Sequence, residues 1–144
     1  MLIGLFALTI AALFTGAAFY VGFAEQPARL GLKDRPLLAE FQTSYPRGAL
    51  MQGSLAVIGF ILGAIAWWQT GKPAFLAGAL LILANWPWTL IAIMPVNKAL
   101  MAADLDKAGA KTRDLIVKWG GLHAVRTGLG ALAVICFLFA LSAT

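Results

Sequence analysis

Trp119-Gly-Gly-Leu-His-Ala-Val-Arg126 opens the last long apolar run of the chain, 119–144, in which Arg126 is the only basic residue. Crossing a bilayer as a helix takes about 20 apolar residues, so the run is long enough to span. On a helix Trp119, His123 and Arg126 fall at i, i+4 and i+7 and project from one face. His123 is the only histidine. Ionisable groups on membrane helices are costly and turn toward a bundle interior or water. This face therefore marks a site as well as a span.

Working outward, the stretches 2–24, 48–70 and 73–97 are uncharged and also reach spanning length. A chain of 144 residues that is 61% hydrophobic and 12% charged lies far outside the soluble range. We expect an all-α integral membrane four-helix bundle, a single domain over 1–144. Its helices should cover about 2–24, 48–70, 73–96 and 113–142, with a short interfacial helix between the first two. The first run lacks a basic leader and a small-residue cleavage site at Ala24-Glu25-Gln26-Pro27, so it reads as a helix and not as a secretory signal. Cys136 is the only cysteine, which excludes an intrachain disulfide and a multi-cysteine metal motif; it reads as a packing residue.

The basic residues are distributed unevenly. Arg29, Lys33, Arg35 and Arg47 lie between the first two runs, and Lys98, Lys107, Lys111, Arg113 and Lys118 between the last two. The middle turn has only Lys72. Four crossings put both long loops on one side. The positive-inside rule then predicts an inner-membrane protein with both loops cytoplasmic and both termini outside. The charge reads as topology determinant and lipid-headgroup contact, not as a nucleic-acid surface.

Small residues predict close helix approach: Gly4, Ala12 and Gly16 on the first helix, Gly59 and Gly63 on the second, and Gly120, Ala124 and Gly128 on the fourth. Pro27 should stop helix one and Pro95 helix three, while Pro87 should kink the third helix. Asn85 falls about 18 Å in from Pro73, near mid-membrane, and reads as an interhelical hydrogen-bond former. Asp34 is a candidate N-cap for a segment whose Leu37, Phe41 and Tyr45 form an apolar stripe, broken at Pro46-Arg47-Gly48. Thr112 is a candidate N-cap for helix four.

This topology gathers Glu25, Asn97, His123 and Arg126 at one membrane face, beneath Trp119. Two readings of Arg126 stand: snorkelling to headgroups or pairing with Glu25, and contact with an anionic substrate. His123 is either a hydrogen-bonded packing residue or a proton-transfer group suited to neutral pH. Trp119 reads as an interfacial residue, and Asn97 as a helix end.

At these residues the chain resembles a family. The matching segments are Ala18-Phe-Tyr20-Val-Gly-Phe-Ala-Glu25-Gln-Pro-Ala-Arg29, Trp88 ahead of Met94-Pro-Val-Asn97-Lys-Ala-Leu100, and Trp119 with His123-Ala-Val-Arg126-Thr. The sequence is similar to the anthrone-oxygenase-like family of small four-helix membrane proteins, most of them a domain of unknown function. The resemblance covers nearly the whole chain. It departs at Gln26, where the pattern has a histidine before its proline, so any role needing two imidazoles is in doubt.

The resemblance implies oxidation of an anthrone to an anthraquinone with O2. It would make His123 the base, Arg126 the oxyanion partner, Asn97 a donor, and Glu25 the group orienting His123. Trp119, Trp88 and Tyr20 would form the substrate-binding walls, with a small aromatic substrate and O2 as partners. One histidine and one peripheral glutamate fall short of the usual three metal ligands, so no metal and no cofactor is expected. A small multidrug-type exporter would need a carboxylate within a span, and none is present. The other class is a non-enzymatic membrane protein packing against a partner or, as a homo-oligomer, against itself.

Overall fold

The computed structural model describes residues 1–142, so the last two positions of the expected domain lie outside the described residues. Four long helices make up the fold: α1 (Leu2–Leu30), α2 (Asp34–Thr70), α3 (Pro73–Ala102) and α4 (Ala110–Ser142). Each is long and apolar enough to cross a membrane. α1 and α3 each pack against both α2 and α4, so the helices form a ring with α1 and α3 on one diagonal. Large apolar side chains such as Leu5, Phe6, Leu13, Ile91, Ile135 and Phe139 remain exposed around the outside. A water-soluble monomer rarely shows so much apolar surface; hydrocarbon is its natural solvent.

Two buried clusters divide the bundle along its length. At the end holding the α2–α3 turn, small residues and phenylalanines interlock: Ala7, Ala11, Phe14, Ala56, Phe75, Ala133 and Phe137. A Cβ on Gly63 would lie 2.8 Å from the Phe137 ring, and one on Gly78 2.6 Å from it, so both glycines are spaces that this ring fills. The turn itself closes through Gly71, whose φ of 68° only glycine adopts freely. At the other end the cluster is larger-grained: Leu37, Leu38, Phe41, Ile93, Leu100, Ile116 and Trp119.

The small-residue rows are partly as expected. Gly59 and Gly63 are buried, but Ala12, Gly16, Ala124 and Gly128 are exposed. The buried face of α1 runs through Gly4, Ala7, Ala11, Phe14 and Ala18, and that of α4 through Arg126, Gly130, Ala133, Phe137 and Ala140. A strict four-residue row rotates off a face that recurs every 3.5 to 3.6 residues.

Prolines do not end the helices. Val21–Glu25 in α1 and Thr89–Ile93 in α3 are π turns, each followed at once by an X-Pro pair, Gln26-Pro27 and Met94-Pro95. The residue before each proline donates its N–H to the carbonyl five residues back, Val21 and Thr89 respectively. The widened turn makes room for the proline ring, and α geometry resumes. Helix one thus continues to Leu30 and helix three to Ala102. In α3 the regular helix is interrupted at Ala84, where Pro87 withholds a bond from Leu83.

The separate interfacial helix is likewise absent. Residues 34–45 are the first turns of the unbroken helix Asp34–Thr70, with Pro46 inside it. An interior proline costs about 3 kcal/mol, and burial of Leu37, Leu38 and Phe41 on one side of it offsets that, at about 1.5–3 kcal/mol each. Lys33, not Asp34, is the N-cap residue, and Asp34 instead accepts from Arg113 Nε at 3.0 Å. Thr112 lies inside α4, which starts at Ala110. Arg113 also donates to the carbonyls of Leu30 and Leu32, while Gln42 donates to those of Leu100 and Ala103. Both long connections therefore sit at one end of the bundle and are tied to it.

Candidate functional site

Asn97 is buried within the loop-end cluster beside Val96 and Leu100, while between the two clusters lies a layer of buried polar groups: Gln52, Asn85, His123 and Arg126. Beside it a cavity of ≈ 740 Å³ lies among α1, α2 and α4. Helix α1 contributes Tyr20, Glu25 and Arg29, α2 contributes Glu40, Tyr45, Arg47 and Gln52, and α4 contributes Trp119, His123 and Arg126. That volume suits a ligand of a few fused rings.

The α4 face projects as its spacing requires. Trp119, His123 and Arg126 are all buried, and the His123 ring stacks on Trp119 with centroids 4.8 Å apart. Phe41 meets Trp119 edge-on at 5.3 Å and stacks on Tyr45 at 5.4 Å. His123 Nε2 lies 3.0 Å from the Ala18 carbonyl oxygen, whereas Nδ1 has no hydrogen-bond partner among the described residues. Glu25 does not orient this imidazole; the α1 backbone does.

Arg126 is 7% exposed. Its guanidinium lies 5.6 Å from the Phe14 ring and makes no hydrogen bond or ion pair among the described residues. It neither snorkels nor pairs with Glu25. A buried cation without a counter-ion carries a desolvation penalty of several kcal/mol, which an anionic ligand would offset.

The acid expected to pair with it is engaged elsewhere. Glu25 bonds Arg29, one helical turn on, and Arg29 Nε stands 2.7 Å from Glu40 Oε2. Arg29 also donates to Gln26 and Ser44, and its guanidinium lies 5.5 Å from the rings of both Phe41 and Trp119. Arg29, read from the sequence as a topology charge and as the end of the first matching segment, is 3% exposed and joins α1 to α2 beside the cavity. The Glu25-x3-Arg29 spacing is the signal that could have found it. Gln26, at the departure from the family pattern, donates to the Ile116 carbonyl at 2.8 Å and so ties α1 to α4.

Asn97 and Trp88 do not line the cavity. Trp88 donates to the Leu122 carbonyl at 3.0 Å. Asn97 lies behind the wall: Trp119 Nε1 donates to its Oδ1 at 2.8 Å, and its Nδ2 donates to Tyr45 Oη at 2.7 Å. Tyr45, read from the sequence as the end of an apolar stripe, lines the cavity where Asn97 does not, and its hydroxyl accepts from Asn97. Tyr20 lines the open side and is largely exposed. Asn85 is buried and donates to the Ile82 carbonyl within its own helix. Among the described residues no group of three or more His, Cys, Asp or Glu is placed to hold a metal ion.

These features define a small bundle of membrane-capable helices with an aromatic-walled cavity of ligand size and a polar inner end. The anthrone oxygenase family model matches residues 41–136. The chain is also 32% identical over 128 residues to an anthrone oxygenase of Claviceps purpurea (strain 20.1), covering 78% of this chain and 73% of that protein. It belongs to the anthrone oxygenase family. No solved structure matches it. The matched region includes Tyr45, Asn97, Trp119, His123 and Arg126, while Tyr20, Glu25 and Arg29 precede it.

Proposed function

We propose that this protein is a membrane-embedded, cofactor-independent oxygenase that oxidises a flat phenolic substrate of the anthrone type with O2. One observation carries the reading: His123, whose buried Nδ1 has no partner among the described residues, and Arg126, which has no ion pair among them, line the same cavity. The Ala18 carbonyl can only accept, so the proton it faces sits on His123 Nε2 and Nδ1 keeps its lone pair. A substrate reaches Nδ1 by parting the side chains that cover it.

The activated CH2 of an anthrone gives up a proton to His123, and the charge spreads onto an oxygen that Arg126 holds. The electron-rich anion reduces O2 by one electron, and the two radicals join as a hydroperoxide protonated from His123. Loss of water leaves a carbonyl, so CH2 and O2 become C=O and H2O. A dry site strengthens each of these charge contacts. Trp119 and Tyr20 serve as walls, and the Arg29 cluster fixes α1 against α2.

The basic connections favour the cytoplasmic face of the inner membrane for the loop end of the bundle, with both termini outside. O2 uptake by the detergent-purified protein with a hydroxylated anthrone tests the reading. Activity should survive dialysis against a chelator. His123→Gln retains a donor for Ala18 but no base; it should keep the melting temperature and slow uptake by at least about 10²-fold. Folded wild-type protein that consumes no O2 with such substrates refutes it.

A further inference from the structure

We propose that the inner end of the cavity is an oxyanion site in which the Tyr45 hydroxyl donates beside Arg126, and that its occupant is a planar phenol bound as the phenolate. The inference rests on the same cavity as the proposed oxygenase and specifies what that cavity recognises.

The direction of each hydrogen bond fixes where the Tyr45 proton points. An indole nitrogen can only donate, so the Asn97 atom 2.8 Å from Trp119 Nε1 is its carbonyl oxygen. The amide nitrogen is thereby turned toward Tyr45, and at 2.7 Å it donates to the phenol oxygen. Tyr45 Oη is thus an acceptor from Asn97. Its own proton has no acceptor among the described residues. Asn97 is 1% exposed, which holds the relay away from competing water.

Tyr45 of α2 and Arg126 of α4 both line the cavity. Neither Arg126 nor the Tyr45 proton is satisfied by a carboxylate, because Glu25 and Glu40 are both engaged by Arg29. Two donors, one of them cationic, in a cavity that Trp119 and His123 also line, select a flat ligand with a negative oxygen. Tyr45 contacts the ligand; Asn97 and Trp119 position Tyr45.

The probe is a dihydroxyanthraquinone, whose visible absorption shifts to the red when a phenol ionises. Bound to the full-length protein in detergent, it should ionise roughly one pH unit below its free value. Tyr45→Phe keeps the ring on Phe41 and should return much of that shift. It should also slow any anthrone oxidation by about 10²-fold, the usual effect of losing one oxyanion donor. Asn97→Asp, which accepts from both neighbours and takes the Tyr45 proton, should abolish the shift even where Trp119 remains. A shift of full size in folded Tyr45→Phe overturns the assignment, whatever the O2 uptake. A Tyr45-dependent shift in protein that consumes no O2 supports the phenolate site while removing the oxygenase. A dye that does not bind folded wild-type protein overturns both.

Discussion

The two ends of this bundle solve helix packing differently. At the turn end the helices close on one another through glycines and alanines, with Phe137 fitted against Gly63 and Gly78. At the loop end the core is built of large side chains, and directed polar contacts join the helices: Gln26 to Ile116, Arg29 to Glu40, Trp119 to Asn97 to Tyr45. Lipid gives no hydrophobic drive for helices to associate, so dense van der Waals contact or hydrogen bonding has to supply it. The first device leaves no room for a ligand. The second leaves a cavity of ≈ 740 Å³. Dense packing and the cavity thereby occupy different lengths of the same four helices.

The largest effect expected from that division is at Gly78. A Cβ there would lie 2.6 Å from Phe137 and 3.1 Å from the Ala133 carbonyl oxygen, so both a ring and a backbone would have to move. Gly78→Leu should destabilise the folded protein by about 3 kcal/mol or more, read as a lowered melting temperature in detergent. Gly128→Leu, with nothing within 4 Å of its Cβ, should change stability by no more than about 0.5 kcal/mol. Equal effects at the two glycines would show that the fit of Phe137 against Gly78 does not hold the turn end together.

Arg29 breaks the loop end in a different way. Its guanidinium is 3% exposed, while Glu25 and Glu40 are 27% and 32% exposed. Arg29→Met leaves two carboxylates beside each other, partly wetted. A fully buried broken pair costs about 3–5 kcal/mol, and the solvent access of the acids reduces this to about 2 kcal/mol. Adding Glu25→Gln and Glu40→Gln to Arg29→Met should recover most of the melting temperature. Without recovery, Arg29 would be holding the helices by its contacts with Phe41 and Trp119 instead.

The division itself was only half legible from the chain. Spanning length and absence of charge identify the four helices, and 3.6-residue spacing puts Trp119, His123 and Arg126 on one face, because these depend only on geometry within a helix. The prolines misled because a breaking rule is local: π turns ahead of Pro27 and Pro95, and packing on both sides of Pro46, carry the helices through. Arg29 was hidden among topology charges, since counting cations along a loop cannot show which one is buried. Tyr45 was placed correctly on a stripe with Leu37 and Phe41, yet its hydroxyl matters through Asn97, 52 residues away. Which residue across the bundle receives a polar atom is a tertiary fact, and no spacing along one helix encodes it.

Arg126 gives a smaller stability change than Gly78 or Arg29, and one of opposite sign. Its charge is buried without an ion pair, with the Phe14 ring 5.6 Å away. Methionine has similar length, fills the same space and carries no desolvation cost. Replacing buried charge by well-packed apolar side chains is often neutral or stabilising, so Arg126→Met should raise stability by about 1 kcal/mol. Yet the same substitution removes a buried cation, without an ion pair among the described residues, from the cavity that Tyr45 also lines, and binding of an anionic planar phenol should fall by at least about 10-fold. A variant that melts higher and binds worse would show that Arg126 is kept for its ligand at the expense of the fold. If Arg126→Met instead lowers the melting temperature and leaves dye binding intact, the guanidinium is a packing element of α4 and the loop end is a second structural core.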